Sequence, residues 1–146
     1  MYGSPEFLIR RAHQIATAVF TETCADLDLT PSQYSALFAL RERSPIGQNE
    51  LGRLIALDRS TTSVVVKILR ERALVVASSD ASDRRKSFLE LTNAGRLLLA
   101  RAERRNLQSS QQLMSVFDTK QATVFLELLD CLANSVEHKP GPRHSA

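Results

Sequence analysis

The segment Gln48–Arg72, QNELGRLIALDRSTTSVVVKILRER, constrains the fold most strongly because it predicts two short helices separated by a tight turn. Apolar residues recur in its first half at the i, i+3, i+4 spacing of one buried stripe: Leu51, Leu54 and Ile55. Asp58 follows, where its carboxylate can accept from the backbone N–H of Ser60 or Thr61 as an N-cap. We therefore predict a helix-turn-helix whose second helix begins directly after Asp58.

The predicted second helix has an unusually polar first turn. It is filled by one arginine and four hydroxyl residues: Arg59, Ser60, Thr61, Thr62 and Ser63. These hydroxyl residues have modest helix propensity but bind well to phosphates and base edges. Val65, Val66 and Leu69 supply a face to bury, and Lys67 and Arg70 add positive charge. The pattern is typical of a recognition helix in a DNA major groove, and a capped, solvated core helix is the structural alternative.

Two short runs with strand character follow, Leu74–Ala77 and Ser87–Leu91. In the second run leucines that face inward alternate with residues that face outward. The polar loop between the runs, SSDASDRRK, ends in three cations: Arg84, Arg85 and Lys86. A hairpin with a cationic tip suits the narrow minor groove of DNA, although a basic tip is often only a solvated turn.

The order LDRSTTSVVVKILRERALV, then DRRK, then LELTNAGRLLL resembles the winged-helix core of the MarR transcriptional regulators, and the similarity covers nearly the whole chain. It implies a mainly α fold with a small β-wing, in which a winged helix-turn-helix core is flanked by N- and C-terminal dimerisation helices. It further implies that Ser60, Thr62 and Ser63 face the major groove and that Arg85 is the wing-tip arginine, with Arg84 as the close alternative. The residues expected to contact double-stranded DNA are Arg59, Ser60, Thr62, Ser63, Lys67, Arg84, Arg85 and Lys86.

The sequence departs from the family pattern at three positions. Val64 and Ile68 stand where relatives often carry polar or charged side chains, so an apolar i, i+4 pair is expected on the outer face of the helix. This pair would alter base preference or pack on a neighbouring element. Ala73 stands where a glycine usually ends the helix in a left-handed conformation, which costs alanine more than glycine.

The first predicted helix, Phe7–Phe20, has an informative polar face. Four of its residues fall at i, i+3, i+4 and i+7, namely Arg10, His13, Gln14 and Thr17. Arg11 lies beside them. Positive charge in the first turn of a helix opposes the helix dipole by roughly 0.3–1 kcal/mol per group, so a bound anion would compensate it. An arginine can hold a carboxylate through two hydrogen bonds. A solvated face, or contact with acids of a partner subunit, would account for the same pattern.

The family resemblance implies a ligand for this face. Many MarR regulators bind phenolic or aromatic carboxylates in a cleft between the dimer helices and the winged helix, and Arg10 matches a recurring ligand contact. Tyr34 and Phe38 would wall that cleft. The runs PEFLIRRAHQI and DRSTTSVVVKILRERALV also resemble the branch of regulators that controls nicotinate breakdown and responds to hydroxylated nicotinic acid, while a benzoate-type phenolic acid would fit almost as well.

Capping motifs divide the rest of the chain. Thr30 begins a capping box with Gln33, and Thr92 caps a long helix at about Asn93–Ser115, before a last apolar helix near Thr119. We expect one structural domain with four regions: an N-terminal dimerisation helix at 1–29, a winged helix-turn-helix at 30–92, C-terminal dimerisation helices at 93–137 and a disordered tail at 138–146. Pairing of the outer helices would make a homodimer whose recognition helices lie roughly 34–36 Å apart.

Composition excludes several other classes of protein. The chain has 146 residues, 43% hydrophobic and 24% charged, with a net charge of +3 concentrated by the wing and second helix in one half. With no signal pattern and no membrane-length apolar run, we expect a cytoplasmic protein without membrane contact. The two cysteines, Cys24 and Cys131, form no metal-binding motif, and neither a cofactor nor enzymatic activity is expected.

The sequence thus predicts a homodimeric repressor that a small aromatic carboxylate releases from a pseudopalindromic operator. A regulator without an effector is one alternative. A thiol-redox sensor using Cys24 is another, against which a buried structural thiol is the simpler interpretation.

Overall fold

The computed structural model describes residues 2–135, and within them the chain forms helices and one antiparallel hairpin. The elements are α1 Pro5–Thr23, a 3₁₀ turn Ala25–Leu27, α2 Pro31–Arg43, α3 Gln48–Leu54, α4 Arg59–Glu71, β1 Val75–Ser79, β2 Ser87–Leu91, α5 Asn93–Met114 and α6 Thr119–Asn134. The expected fold class, mainly α with a small β-wing, is confirmed. The expected tail at 138–146 lies outside the described residues.

One hydrophobic core joins α2, α3, α4, the hairpin and α5. Its most deeply buried large side chains are leucines from the helices: Leu37, Leu40, Leu51, Leu69 and Leu99. The predicted inner face of α4 is confirmed, because Val65 and Val66 are buried with Leu69. Leu54 was wrongly placed in the buried stripe, since 46% of it is exposed. The buried face of α3 is centred on Leu51 and Gly52, and Leu54 lies two residues past Gly52, about 200° around the helix.

The helices α3 and α4 meet at Gly52. A Cβ atom there would lie 2.7 Å from Thr62 Oγ1 and 3.3 Å from the Leu57 carbonyl oxygen, so only glycine fits this approach. The turn between the helices passes through Ala56 in the left-handed region, with φ of 55°. The short turn and close contact confirm the predicted helix-turn-helix.

Asp58 starts α4 as predicted. Its Oδ1 accepts from the Thr61 backbone N–H at 2.8 Å and from Ser60 Oγ at 2.9 Å, and its Oδ2 accepts from Thr61 Oγ1 at 2.7 Å. These hydrogen bonds, led by that of the Thr61 N–H, lower the pKa of Asp58 from 3.8 to about 2. The cap therefore stays ionised at any physiological pH.

Ala73 ends α4 in the left-handed conformation that the sequence suggested, with φ of 56°. Just before it, the Arg72 guanidinium donates to the carbonyl oxygens of Asp28 at 2.5 Å and Leu27 at 3.1 Å. On the other side of the same 3₁₀ turn, Asp26 pairs with Arg105 of α5 at 3.0 Å. The turn thus connects the C-terminal end of α4 to α5.

The hairpin pairs β1 with β2 in the register Val75↔Leu91 and Ala77↔Leu89. The strand β1 begins one residue later and ends two residues later than the first strand predicted from the sequence. Leu89 and Leu91 point inward as predicted. Ile46, in the loop after α2, exchanges two backbone hydrogen bonds with Leu89, at 2.8 and 3.4 Å. A third segment therefore anchors the ribbon, which matters because an isolated two-stranded hairpin is marginally stable.

The outer helices show exposed apolar surfaces. No residue of α6 is buried, and it exposes five large apolar side chains: Val124, Leu126, Leu128, Leu129 and Leu132. α1 exposes Leu8, Ile9 and Ile15, although its C-terminal half packs on α5. Among residues 2–135, no helix combines the length and apolar character needed to cross a bilayer.

Replacing Gly95 with Ala should destabilise the fold by about 1–3 kcal/mol. The new methyl would collide with the Leu74 carbonyl oxygen and lie 3.3 Å from Leu91 Cδ2, because α5 starts directly against the end of α4. Urea denaturation measures the effect. Gly47→Ala is the matched control, since the nearest atom to its Cβ is 3.9 Å away and only a weaker helix cap is lost. Equal stabilities for Gly95→Ala and wild type would contradict the tight packing.

Ionised Asp58 should stabilise the folded chain, so protonation of its carboxylate at low pH should lower the free energy of unfolding. Its folded pKa of about 2 is below the unfolded 3.8, so its contribution to the free energy of unfolding is present above pH 3.8 and is lost as the pH falls through about 2. Asn at this position keeps the cap but cannot titrate. Urea denaturation at successive pH values should show wild type losing stability relative to Asp58→Asn between about pH 4 and pH 2, and a constant difference would refute the assignment.

Candidate nucleic-acid interface

The outward face of α4 is one continuous stripe. Its members follow the i, i+3, i+4, i+7 spacing and are all exposed: Ser60, Ser63, Val64 and Lys67. Arg59 is exposed at the start of the helix. The opposite face packs into the core, so the helix presents its polar stripe as a convex ridge. Such a ridge has the shape and chemistry that fit a DNA major groove.

Thr62 is not part of this ridge, and the expectation that it faces the groove is wrong. Only 2% of it is exposed, and its Oγ1 donates to the Asp58 carbonyl oxygen at 2.7 Å while packing against Gly52. The hydroxyl group satisfies the backbone within α4. Ser60 and Ser63, predicted alongside Thr62, do lie on the exposed side.

The wing tip holds its shape through its own acidic residues. Asp80 Oδ1 accepts from the Ser82 backbone N–H and from Ser82 Oγ, both at 2.8 Å, and the backbone bond is the main reason that the pKa of Asp80 is lowered. Asp83 Oδ1 accepts from the Arg85 backbone N–H at 3.0 Å. The side chains of Arg84, Arg85 and Lys86 are consequently left at the surface, where all three are exposed.

Two grooves flank α4. An open groove of about 610 Å³ separates its C-terminal half from β1 and is lined in part by Ser63, Lys67 and Arg70. A smaller one of about 260 Å³ lies between α3 and the start of α4, where Asn49 and Arg53 join Arg59. Asn49 and Arg53 were not among the DNA-contacting residues predicted from the sequence. Their i, i+4 spacing on the polar side of α3 was the signal that could have revealed them.

The proposed effector residues of α1 are mostly exposed. Arg10, Arg11, His13 and Gln14 lie at the surface, and Thr17 is half-buried. The Arg11 guanidinium donates to Gln14 Oε1 at 3.1 Å, and the Arg10 guanidinium lies 5.6 Å from the centre of the Phe7 ring.

Arg10 and Arg11 do not lie in the first turn of α1, so the expectation that their charge opposes the helix dipole there is wrong. The helix begins at Pro5, with Ser4 as its cap and Glu6 in its first turn, so Arg10 belongs to the second turn. The dipole of α1 is therefore already matched by an acid, and it does not by itself require a bound anion.

Tyr34 and Phe38 lie in an aromatic cluster with Phe20. The ring centres of Phe20 and Tyr34 are 5.6 Å apart and those of Tyr34 and Phe38 are 6.3 Å apart. Burial raises the pKa of Tyr34, whose Oη accepts weakly from Asn106 Nδ2 at 3.4 Å. Arg41 covers the ring of Phe38, which is 40% exposed, at 4.8 Å and pairs with Glu103 at 2.6 Å.

The two parts of the expected effector site are separate within one chain. Phe20 touches this cluster from α1, and Arg10 lies ten residues earlier, about 15 Å along the helix axis. The structure brings the two aromatic residues together and does not bring Arg10 beside them.

The cysteines differ in environment. Cys24 is fully buried, and burial is the main reason that its pKa is raised, which lowers the thiolate fraction at neutral pH. This favours a structural thiol. Cys131 is exposed on α6. Within residues 2–135, no cluster of His, Cys, Asp or Glu has the geometry of a metal site.

Comparison with known proteins agrees with this geometry. A family model described as the MarR family matches residues 27–86. The HTH-type transcriptional repressor NicR of Pseudomonas putida is 36% identical over 131 residues, which are 90% of this chain and 83% of that protein.

Two solved structures are also similar. That of Bordetella bronchiseptica BpsR, whose DNA binding is regulated by 6-hydroxynicotinic acid, has a TM-score of 0.86 and 28% identity, covering 92% of this chain and 96% of that one. The repressor CouR bound to a 23-mer DNA duplex has a TM-score of 0.83 and 26% identity, covering 91% and 97%. These proteins are regulators, which confirms that the chain is not an enzyme. The chain belongs to the MarR family of DNA-binding transcriptional regulators.

Proposed function

We propose that the protein is a homodimeric repressor that binds a pseudopalindromic operator and releases it when a small aromatic or heteroaromatic carboxylate binds. The main support for the proposal is that the polar ridge of α4 and the cationic wing tip belong to the same packed core. The repressor role is proposed because the similar protein NicR is a transcriptional repressor. The chemical class of the ligand follows BpsR, whose DNA binding 6-hydroxynicotinic acid regulates.

In the proposed complex, α4 lies in the major groove and the wing reaches the adjacent minor groove. Ser60 and Ser63 face base edges, and Arg59 and Arg53 bind phosphates beside them. Arg85 enters the minor groove, where negative potential is concentrated, while Arg84 and Lys86 bind the flanking backbone. The contacts of the wing are largely independent of sequence, so the ridge of α4 supplies base recognition.

A second copy of the chain is the proposed partner for α6 and the N-terminal half of α1. The exposed leucines of α6 repeat at helical spacing, and a helix this apolar is normally covered in the working protein. A two-fold axis would bury the same surface on both copies and present two ridges to two half-sites. The recognition helices would then be roughly 34–36 Å apart, one turn of DNA.

For the effector, we propose that Arg10 binds the carboxylate and that His13 or Gln14 binds a ring hydroxyl or ring nitrogen. The distance along α1 between Arg10 and the aromatic cluster suggests that Tyr34 and Phe38 come from the other subunit, or that they wall a different part of the cleft. A ligand that favours a dimer with the wrong spacing weakens operator binding by the same factor as DNA weakens ligand binding.

A regulator without an effector is the second candidate, and two observations favour it. Glu6 already complements the dipole of α1, and Arg11 already has Gln14 as a partner, so much of this polar face is satisfied without a ligand. In this case the α1 face serves solubility or contacts the partner subunit.

The variant Arg85→Ala should weaken binding to an operator selected by the protein from random duplexes, by about tenfold near 0.1 M salt. The plot of log Kd against log salt concentration should flatten by about one for each arginine lost. Fluorescence anisotropy measures both quantities. Arg104→Ala, which removes another exposed arginine from α5, is the control. If both variants bind with the same affinity and salt slope, Arg85 does not contact DNA.

A thermal-shift titration with hydroxynicotinates, salicylates and hydroxybenzoates tests the effector. A true ligand at about one hundred times its Kd should add roughly 2.7 kcal/mol to stability, which raises Tm by several degrees. The shift should disappear in Arg10→Ala and persist in Arg43→Ala, which removes an exposed arginine of α2. A flat panel for the wild type would favour the regulator without an effector.

A further inference from the structure

Val64 is the apolar exception in the ridge of α4. It is 57% exposed, whereas the following residues Val65 and Val66 are buried in the core. Ser60 at i−4 and Lys67 at i+3 flank it on the outward stripe, and Ile68 at i+4, expected beside it on the outer face, is half-buried. The helix therefore buries Val65 and Val66 on one side and presents Val64 on its polar side.

Folding of the described chain does not account for this exposure. Val64 lines neither of the two grooves beside α4, although its neighbours Ser63 and Lys67 line the larger one. The side chain therefore projects from the crest of the ridge. A polar residue there would keep the same helix and the same core, so the two methyl groups of Val64 remain available to a surface that α4 meets.

The major groove offers one apolar group to such a side chain, the 5-methyl group of thymine. Valine suits this contact because its two methyl groups are held in few rotamers, so little side-chain freedom is lost on contact. The flanking hydroxyls cannot replace it, since hydroxyls bind polar base edges. A lysine or arginine at the crest would instead select guanine or phosphate.

We propose that Val64 contacts a thymine 5-methyl group in each half-site and thereby specifies thymine at that position of the operator. The proposal rests on the placement of α4 in the major groove under the proposed function. It makes Val64, which was not among the expected polar DNA contacts, a residue that recognises a particular base.

Replacing single thymines by deoxyuridine tests the contact, because this change removes the methyl group and leaves all hydrogen-bonding groups in place. In a selected operator, one such replacement in one half-site should weaken binding of the full-length dimer by about fourfold, the value for one buried methyl group. The same replacement in both half-sites should weaken it by about sixteenfold. Competition anisotropy against the unmodified duplex resolves these differences.

The variant Val64→Ala completes a double-mutant cycle. It should bind the unmodified operator more weakly than wild type and show no further loss at the deoxyuridine that wild type senses. Val64→Thr has nearly the same shape with one methyl group replaced by hydroxyl, and it should lose part of the sensitivity. Val76→Ala is the matched control, because Val76 is also an exposed valine but lies on β1. It should keep the full response.

The outcomes distinguish the failure of the Val64 contact from the failure of the proposed placement of α4 in the major groove. If no deoxyuridine position distinguishes Val64→Ala from wild type, Val64 does not read a methyl group, whatever else α4 does. Lys67→Ala tests the placement of α4 itself and should weaken operator binding. If Lys67→Ala and Val64→Ala both bind as wild type does, α4 does not lie in the groove and the proposed function fails at that point.

Discussion

The close approach of α3 to α4 at Gly52 sets the rotation of α4 about its own axis. Because Gly52 has no Cβ, the buried Thr62 can pack directly against α3 and direct its hydroxyl to the Asp58 carbonyl oxygen. That rotation turns Val65 and Val66 into the core and leaves the ridge around Ser63 outside. A bulkier residue at Gly52 would force the helices apart, and the ridge would turn away from the face shared with the wing.

The parts of this fold that the sequence predicted well are those decided by local chemistry. The caps at Thr30, Asp58 and Thr92 are all present, because each side chain bonds to backbone groups within three residues. The left-handed end of α4 at Ala73 was indicated by the family resemblance, because relatives usually have a glycine at this position. Amphipathic spacing correctly gave the inner face of α4, since periodicity over several turns averages out single exceptions.

The errors arose where neighbouring elements decide the outcome. Thr62 was assigned to DNA by the family resemblance, but its contact with Gly52 buries it in this chain. Leu54 has the right spacing, yet α3 is too short for spacing to define its buried side. The start of α1 was set by its apolar stripe, whereas Ser4 and Pro5 extend the helix and place Glu6 in its first turn. The proposed effector site would depend on the arrangement of two protomers, which patterns within one chain do not encode.

The anchoring of the hairpin to Ile46 has a consequence for the entropy of DNA binding. Two backbone hydrogen bonds join β2 to the loop that leads into α3, and α4 packs on both α3 and β1, so the ridge and the base of the wing form one frame. The spacing between the proposed major-groove and minor-groove contacts within a half-site would thus be fixed during folding. On binding, little beyond the long side chains at the wing tip remains to be ordered. In the proposed dimer, an inserted base pair inside a half-site would break this spacing within one subunit, whereas an insertion between half-sites would be accommodated at the interface between subunits.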